Sequence, residues 1–85
     1  MAAPYKAIYF KHGEPLNVFA RETKGYERLS DAKETARQSL ITLTRDYNTT
    51  FVAYLMQDDK HGLPKKKWMG GVNLGNNKAT WYKVG

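Results

Sequence analysis

The residues best suited to bind a ligand lie in the last third of the chain, where lysines are interleaved with aromatic side chains. Residues 60–85 contain six basic and no acidic side chains, whereas residues 1–59 contain eight of each. The formal net charge of +6 therefore comes entirely from this last segment. The asymmetry predicts an anionic partner, and lysine in place of arginine favours point-charge contacts to phosphate. The candidate nucleic-acid-binding residues are Lys60, Lys65, Lys66, Lys67, Trp68, Lys78, Trp81 and Tyr82.

The strongest motif in this set is the basic run that begins after Pro64 and ends directly before Trp68. Phosphate contacts dominate nucleic-acid affinity, and an aromatic ring beside them can stack on a base. Because side chains alternate along a strand, we expect Lys66 and Trp68 to share one face and Lys65 and Lys67 to lie on the other. An alternative interpretation is an edge strand whose lysines and proline prevent aggregation between sheets.

Catalytic chemistry has few candidate residues in this sequence. His12 and His61 each precede a glycine in a predicted turn, and the chain contains no cysteine. A nucleophile would then have to be an activated hydroxyl or amine. Ser30 is better explained as a helix cap and Ser39 as a helix-surface residue, so no hydrolytic triad is indicated. We expect a protein that is not an enzyme, with no catalytic residues and no cofactor.

A metal site would have to combine residues from two predicted turns. The densest group of possible ligands is Asp58, Asp59 and His61, with His12 and Glu14 from the other turn. Their spacing matches neither a zinc site nor an EF-hand. Acidic residues and glycine are common in turns for their backbone preferences. The sequence therefore predicts no functional metal site.

The glycine-rich segment of the last third has part of the spacing of a phosphate-binding loop. Gly70 and Gly75 are placed like the first two glycines of that motif, but Asn76 stands where lysine is required. The segment also lies among predicted strands, with no helix following it. We interpret Gly70 and Gly71 as a β-bulge or a sharp bend.

One amphipathic helix is predicted over residues 30–47. Ser30 is the predicted N-cap, Asp31 and Glu34 favour the start of the helix, and Asn48 favours its end. Threonines in its second half lower its intrinsic propensity, so it needs packing against a sheet. The apolar stripe, at spacings of three and four residues, comprises Leu29, Ala32, Ala36, Leu40, Leu43 and Tyr47.

Strands are predicted on both sides of the helix, which gives the order ββαβββ. The segment before the helix, residues 21–26, has no periodicity and is expected to be an exposed connection. Pro15 belongs to the predicted loop between the first two strands. The fold class is α+β, a single domain spanning residues 1–85 with an antiparallel sheet of four or five strands and one helix on one face. The predicted strands cover residues 5–10, 16–20, 49–57, 65–72 and 78–84, with residues 49–57 central because both faces are apolar.

A single helix can cover only one face of such a sheet, so the other face must meet water or a partner. Its candidate side chains are Tyr54 and Met56, together with some of Tyr9, Trp68, Trp81 and Tyr82. A cluster of this kind would form an apolar patch of the sort that marks interaction sites. The alternative is that most of these aromatic side chains are buried for stability.

Two functions follow from these features. The leading hypothesis is a small binding domain that attracts DNA or RNA through its basic, aromatic C-terminal strands. The alternative is a protein-interaction module, such as a small accessory or phage-type protein, that docks on an acidic partner through the exposed sheet face or an edge strand. The absence of cysteine, of an N-terminal apolar stretch and of a membrane-length apolar run leads us to expect a cytoplasmic protein with no membrane partner. We expect a monomer or a homodimer, since a free edge of the sheet could pair with a second copy.

Overall fold

The computed structural model describes residues 3–14 and 16–84 and confirms the ββαβββ order. Five strands form one antiparallel sheet in the order β2-β1-β3-β4-β5, so the apolar strand β3 is central, as predicted. Pro15, predicted to lie in the loop between the first two strands, is outside the described residues. The elements are β1 (Tyr5–Lys11), β2 (Val18–Arg21), α1 (Leu29–Tyr47), β3 (Phe51–Asp58), β4 (Pro64–Asn73) and β5 (Lys78–Lys83).

Helix α1 ends as predicted but begins earlier than predicted. Asn48 adopts the left-handed conformation (φ 50°, ψ 43°) that terminates a helix. The N-cap is Arg28, in an extended conformation, and its side chain makes no capping hydrogen bond to a described residue. The Arg28 carbonyl accepts the first helical bond from the Ala32 amide at 3.2 Å. The predicted cap Ser30 therefore lies inside the helix, because the partly buried Leu29 already packs on the core.

Within the described residues, no helix is long and apolar enough to cross a membrane.

The core lies between α1 and one face of the sheet. Two alanines on the helix and two on the strands are fully buried, and such small side chains let the helix approach the sheet closely. The helix stripe packs as the periodicity predicts, although Tyr47 remains 55% exposed at the helix end. The buried core side chains are Ala7, Tyr9, Ala32, Ala36, Leu40, Phe51, Ala53 and Leu55.

The connection between β2 and α1 is partly exposed, as predicted at Thr23 and Lys24, but Glu22 and Tyr26 tie it to the core. The half-buried Glu22 carboxylate accepts hydrogen bonds from the Tyr9 hydroxyl, from the Tyr26 hydroxyl at 2.8 Å and from the Ser39 hydroxyl at 3.3 Å. Burial, reinforced by the hydrogen bond to Glu22, raises the pKa of the Tyr9 phenol well above its ordinary value. These bonds join β1, the connection and α1.

Gly70 lets the Trp81 ring of β5 pack directly on the backbone of β4. A Cβ atom on Gly70 would lie 2.5 Å from the Thr80 carbonyl oxygen and 2.8 Å from Cδ2 of Trp81. The Trp81 ring therefore occupies the space of the missing side chain. Pairing of β4 with β5 is regular from Trp68 opposite Lys83 onward, so the predicted bulge or bend at Gly70 is wrong.

Candidate nucleic-acid interface

A bulge in β4 divides the predicted site between the two faces of the sheet. Leu55 pairs with Trp68, whereas the next residue, Met56, pairs with Lys66, so Lys67 is an extra residue without a counterpart in β3. Leu55 faces α1, and adjacent strand residues point to opposite faces. Lys66 and Trp68 therefore lie on opposite faces, and the prediction that they share one is wrong. The cause is the one extra residue, which breaks strict alternation.

Both tryptophans lie on the helix side of the sheet and are half-buried. The Trp68 ring lies 6.3 Å from Tyr5 and 5.9 Å from the Lys33 ammonium, measured to ring centroids. Trp81 covers the backbone of Gly70. Much of the stacking surface expected from the tryptophans is thus used within the fold.

A shallow groove of about 530 Å³ runs between α1 and β5 on this helix side. Lys33, Arg37, Lys78 and Trp81 line it, so two of the predicted site residues meet there. The remaining predicted residues of the set lie elsewhere. Lys60 is exposed in the turn between β3 and β4.

Arg37 is committed to structural bonds in that groove. Its Nη2 and Nε donate to the two carboxylate oxygens of Glu34 at 2.6 and 3.0 Å, and its Nη1 donates to the Asn77 carbonyl at 2.8 Å. Hydrogen bonds from Arg37 and Gln38 lower the pKa of Glu34 to about 2. Arg37 therefore ties α1 to the hairpin of β4 and β5, and its guanidinium group is already used in these bonds.

Asp59 holds the turn that carries Asp58 and His61, the densest group of possible metal ligands in the sequence. Its Oδ1 accepts hydrogen bonds from the backbone amides of His61 at 2.8 Å and Leu63 at 3.0 Å, which hold the pKa of this carboxyl below its ordinary value. His12 follows β1, whose last residue pairs with the first residue of β3, so the two histidines lie at opposite ends of the sheet. The described residues contain no group of three possible ligands close enough to hold a metal ion.

The sheet face opposite α1 carries a continuous line of side chains across all five strands, which we call the transverse row. Arg21 pairs with Ile8, Ile8 with Tyr54, Tyr54 with Met69, and Met69 with Tyr82. Tyr82, on the edge strand β5, is 60% exposed. The row therefore combines a cation at one end with an accessible aromatic ring at the other.

A second line beside the transverse row adds two more cations. Lys6 pairs with Met56, which pairs with Lys66. The Lys66 ammonium lies 4.6 Å from the ring centroid of Tyr54 and 5.5 Å from that of Phe10. Phe10 is only 2% exposed and meets Tyr54 edge-on, with ring centroids 5.2 Å apart. This face thus has its own small apolar cluster, with a cation above it.

The open face holds only part of the set of aromatic and apolar side chains that the sequence suggested for it. Tyr54, Met56 and Tyr82 lie on it, whereas Tyr9, Trp68 and Trp81 belong to the helix side.

Sequence reasoning missed Lys6, Ile8 and Arg21, because the search followed net charge and these residues lie where basic and acidic side chains balance. The alternation of Lys6, Ile8 and Phe10 along β1 was the available signal.

Comparisons with protein-family models, with curated protein sequences and with solved structures found no match for this chain.

Proposed function

We propose that this protein is a small binding domain that holds single-stranded nucleic acid on the open face of its sheet. The transverse row is the observation that carries the proposal, because it offers stacking and apolar surface across the whole sheet. Four strand spacings of about 4.8 Å place its two ends about 19 Å apart. That length fits the footprint of about four or more nucleotides typical of single-strand-binding domains.

The side chains of the row and its flank suit unpaired bases. Tyr82 presents an exposed ring on which a base can stack, and Met69 and Tyr54 continue the apolar surface towards the sheet centre. Stacking on aromatic side chains needs bases whose faces are free, a condition that a duplex does not meet. Single-stranded DNA or RNA is therefore the favoured form.

The cations of this face are placed to contact the phosphates. Lys6 and Lys66 lie beside the row and Arg21 ends it. Three phosphate contacts on a single strand correspond to a slope of about −2 in log K against log salt. The lysines of the turn and of the helix side add long-range attraction, which salt screens over about 8–10 Å.

The test compares two charge reversals with the same change in net charge. Lys66→Glu alters the open face, and Lys83→Glu alters a residue that pairs with Trp68 on the helix side. Anisotropy of a labelled mixed-sequence single strand is measured at low and at physiological salt. We expect Lys66→Glu to weaken binding by about tenfold or more, since it removes one phosphate contact and adds a repulsion, while Lys83→Glu changes it about twofold.

Tryptophan emission, recorded in the same titration, reports the face that is used. Both tryptophans lie on the helix side, so binding to the open face leaves their emission nearly unchanged. Strong quenching together with equal effects of the two charge reversals would place the nucleic acid on the helix side. Absence of binding at low salt, or equal affinity for single strands and duplex, contradicts the proposal.

A further inference from the structure

The open face also contains an apolar groove at the β1–β2 end of the sheet, with a volume of about 590 Å³. Its apolar lining includes Ile8, Phe10, Leu16, Val18 and Met56. Leu16 is 93% exposed and Val18 38% exposed, so large aliphatic side chains meet water there. Aliphatic walls of this kind complement an apolar side chain. A nucleobase is held better by stacking on an exposed aromatic ring, and the aromatic residue of this lining, Phe10, is only 2% exposed.

The rim of the groove is basic. Lys6, Arg21 and Lys66 line it together with one carboxylate, Glu22. The carboxylate oxygens of Glu22 already accept hydrogen bonds from the hydroxyl groups of Tyr9 and Tyr26. An occupant with apolar and anionic groups side by side would match both the walls and the rim.

The extent of the groove favours a chain over a compact small molecule. Its lining residues come from β1, from β2 and the loops on either side of it, from β3 and from the start of β4. Three strand spacings of about 4.8 Å give a length of about 14 Å, which about four residues of extended peptide would span.

From these three features we infer that the groove binds an acidic protein segment that inserts a large apolar side chain. Lys6, Arg21 and Lys66 belong both to the rim and to the proposed phosphate contacts. Such a segment would therefore displace nucleic acid from the open face. Binding of the segment itself does not depend on the proposed nucleic-acid function.

The experiment uses the full chain and a labelled short peptide of aspartate and glutamate around a central Phe and Leu. Two further peptides separate the chemistry: one has alanine at both apolar positions, and the other has asparagine and glutamine at the acidic positions. We expect the first peptide to bind and each of the other two to bind at least about tenfold more weakly. One of them lacks the apolar side chains that fit the walls, and the other lacks the charges that match the rim.

A matched pair of variants locates the site. Leu16 and Leu74 are both exposed loop leucines, but only Leu16 lines the groove. Leu16→Asp should weaken the first peptide by about tenfold, and Leu74→Asp should leave its affinity within about twofold. Neither side chain is buried, so both variants should fold, and circular dichroism verifies this.

The outcomes separate this inference from the proposed function. Peptide binding that is lost in Leu16→Asp, in a protein without nucleic-acid affinity, supports the groove and rejects the nucleic-acid function. Absence of peptide binding, equal affinity for all three peptides, or equal effects of the two leucine variants overturns the groove inference. Loss of nucleic-acid binding in Leu16→Asp, without any peptide binding, would assign the groove to a base and also overturn it.

Discussion

The two faces of the sheet use similar residue types in opposite ways. On the helix side, Trp81 fills the space above a glycine and Trp68 packs beside Tyr5, so aromatic surface contributes to folding. On the open face, the next residue of the same strand, Tyr82, leaves most of its ring in water. Lysine is used alike on both faces, since Lys33 lies over a half-buried tryptophan and Lys66 over an aromatic pair on the open face. Position on the strand, more than composition, therefore separates a stabilising aromatic residue from one available for binding.

The largest expected difference between the faces concerns two adjacent glycines. Gly70→Ala places a methyl group 2.5 Å from the Thr80 carbonyl oxygen and forces the Trp81 ring to move. We expect the free energy of unfolding to fall by about 3 kcal/mol or more, because backbone and a packed ring must both shift. Urea denaturation followed by tryptophan emission measures the change.

Gly71→Ala is the matched control for that variant. The nearest atom to its Cβ is the Phe51 carbonyl oxygen at 3.7 Å, an ordinary contact. Its stability should be unchanged or up to about 1 kcal/mol higher, since alanine loses less conformational entropy than glycine on folding. Equal destabilisation by the two substitutions would mean that the faces are packed alike.

A smaller effect is expected from the hydroxyl of Tyr9. Tyr9→Phe removes the hydrogen bond that the buried phenol donates to Glu22 and should cost about 2 kcal/mol at neutral pH. In the folded protein the pKa of Tyr9 is raised. The protonated Tyr9 hydroxyl therefore contributes fully to the free energy of unfolding below the ordinary phenol pKa of about 10. Stability then falls as pH rises above that value, because the unfolded chain releases the proton first.

Denaturation curves recorded from neutral pH to above about pH 10 measure that dependence. The loss of stability at alkaline pH should be shallower in Tyr9→Phe than in the parent protein. Parallel pH profiles for the two proteins would show that titration of Tyr9 does not cause the loss of stability at alkaline pH.

The smallest expected effect concerns the free energy of unfolding that the Lys66 ammonium contributes through its contacts with aromatic rings on the open face. Lys66→Gln removes a cation that lies over the rings of Tyr54 and Phe10, and such exposed contacts are worth about 0.5–1 kcal/mol. Lys65→Gln changes a neighbouring exposed lysine that pairs with Gln57. We expect a measurable loss of stability in the first variant and a change within error in the second. The reverse ranking would show that Lys66 is merely solvated.

Periodicity was sufficient to predict the elements of this fold, since the helix stripe and the two apolar faces of β3 each follow directly from residue spacing. Local hydrogen-bond choices were harder to predict. Ser30 is an excellent cap by residue type, yet the N-cap is Arg28, two residues earlier, and the partly buried Leu29 packs on the core as the first helical residue. The role of Gly70 was hidden because the ring that covers it comes from another strand.

The candidate site was less predictable than the fold because the bulge at Lys67 changes which side chains share a face. Alternation along β4 depends on knowing that Lys67 is the extra residue, and any residue type can occupy that position. The sequence therefore identified Lys66 and Trp68 as binding candidates but placed them on the same face. Pairing between β1, β2 and β3, which brings Arg21 and Ile8 beside Tyr54, is long-range and leaves no local pattern.

The bulge at Lys67 also bears on how this protein can change in length. Residues after it pair with the first part of β3, and residues before it pair with the end of β3. Deleting Lys67 would restore a regular ladder while every other residue of β4 kept its partner and its face. A single-residue deletion elsewhere in the paired part of β4 would instead shift neighbouring side chains towards the wrong surface. We therefore expect loss of the Lys67 codon to keep the inner and outer surfaces of the sheet, with loss of the bond that the Val84 amide donates to the Lys67 carbonyl at 2.8 Å.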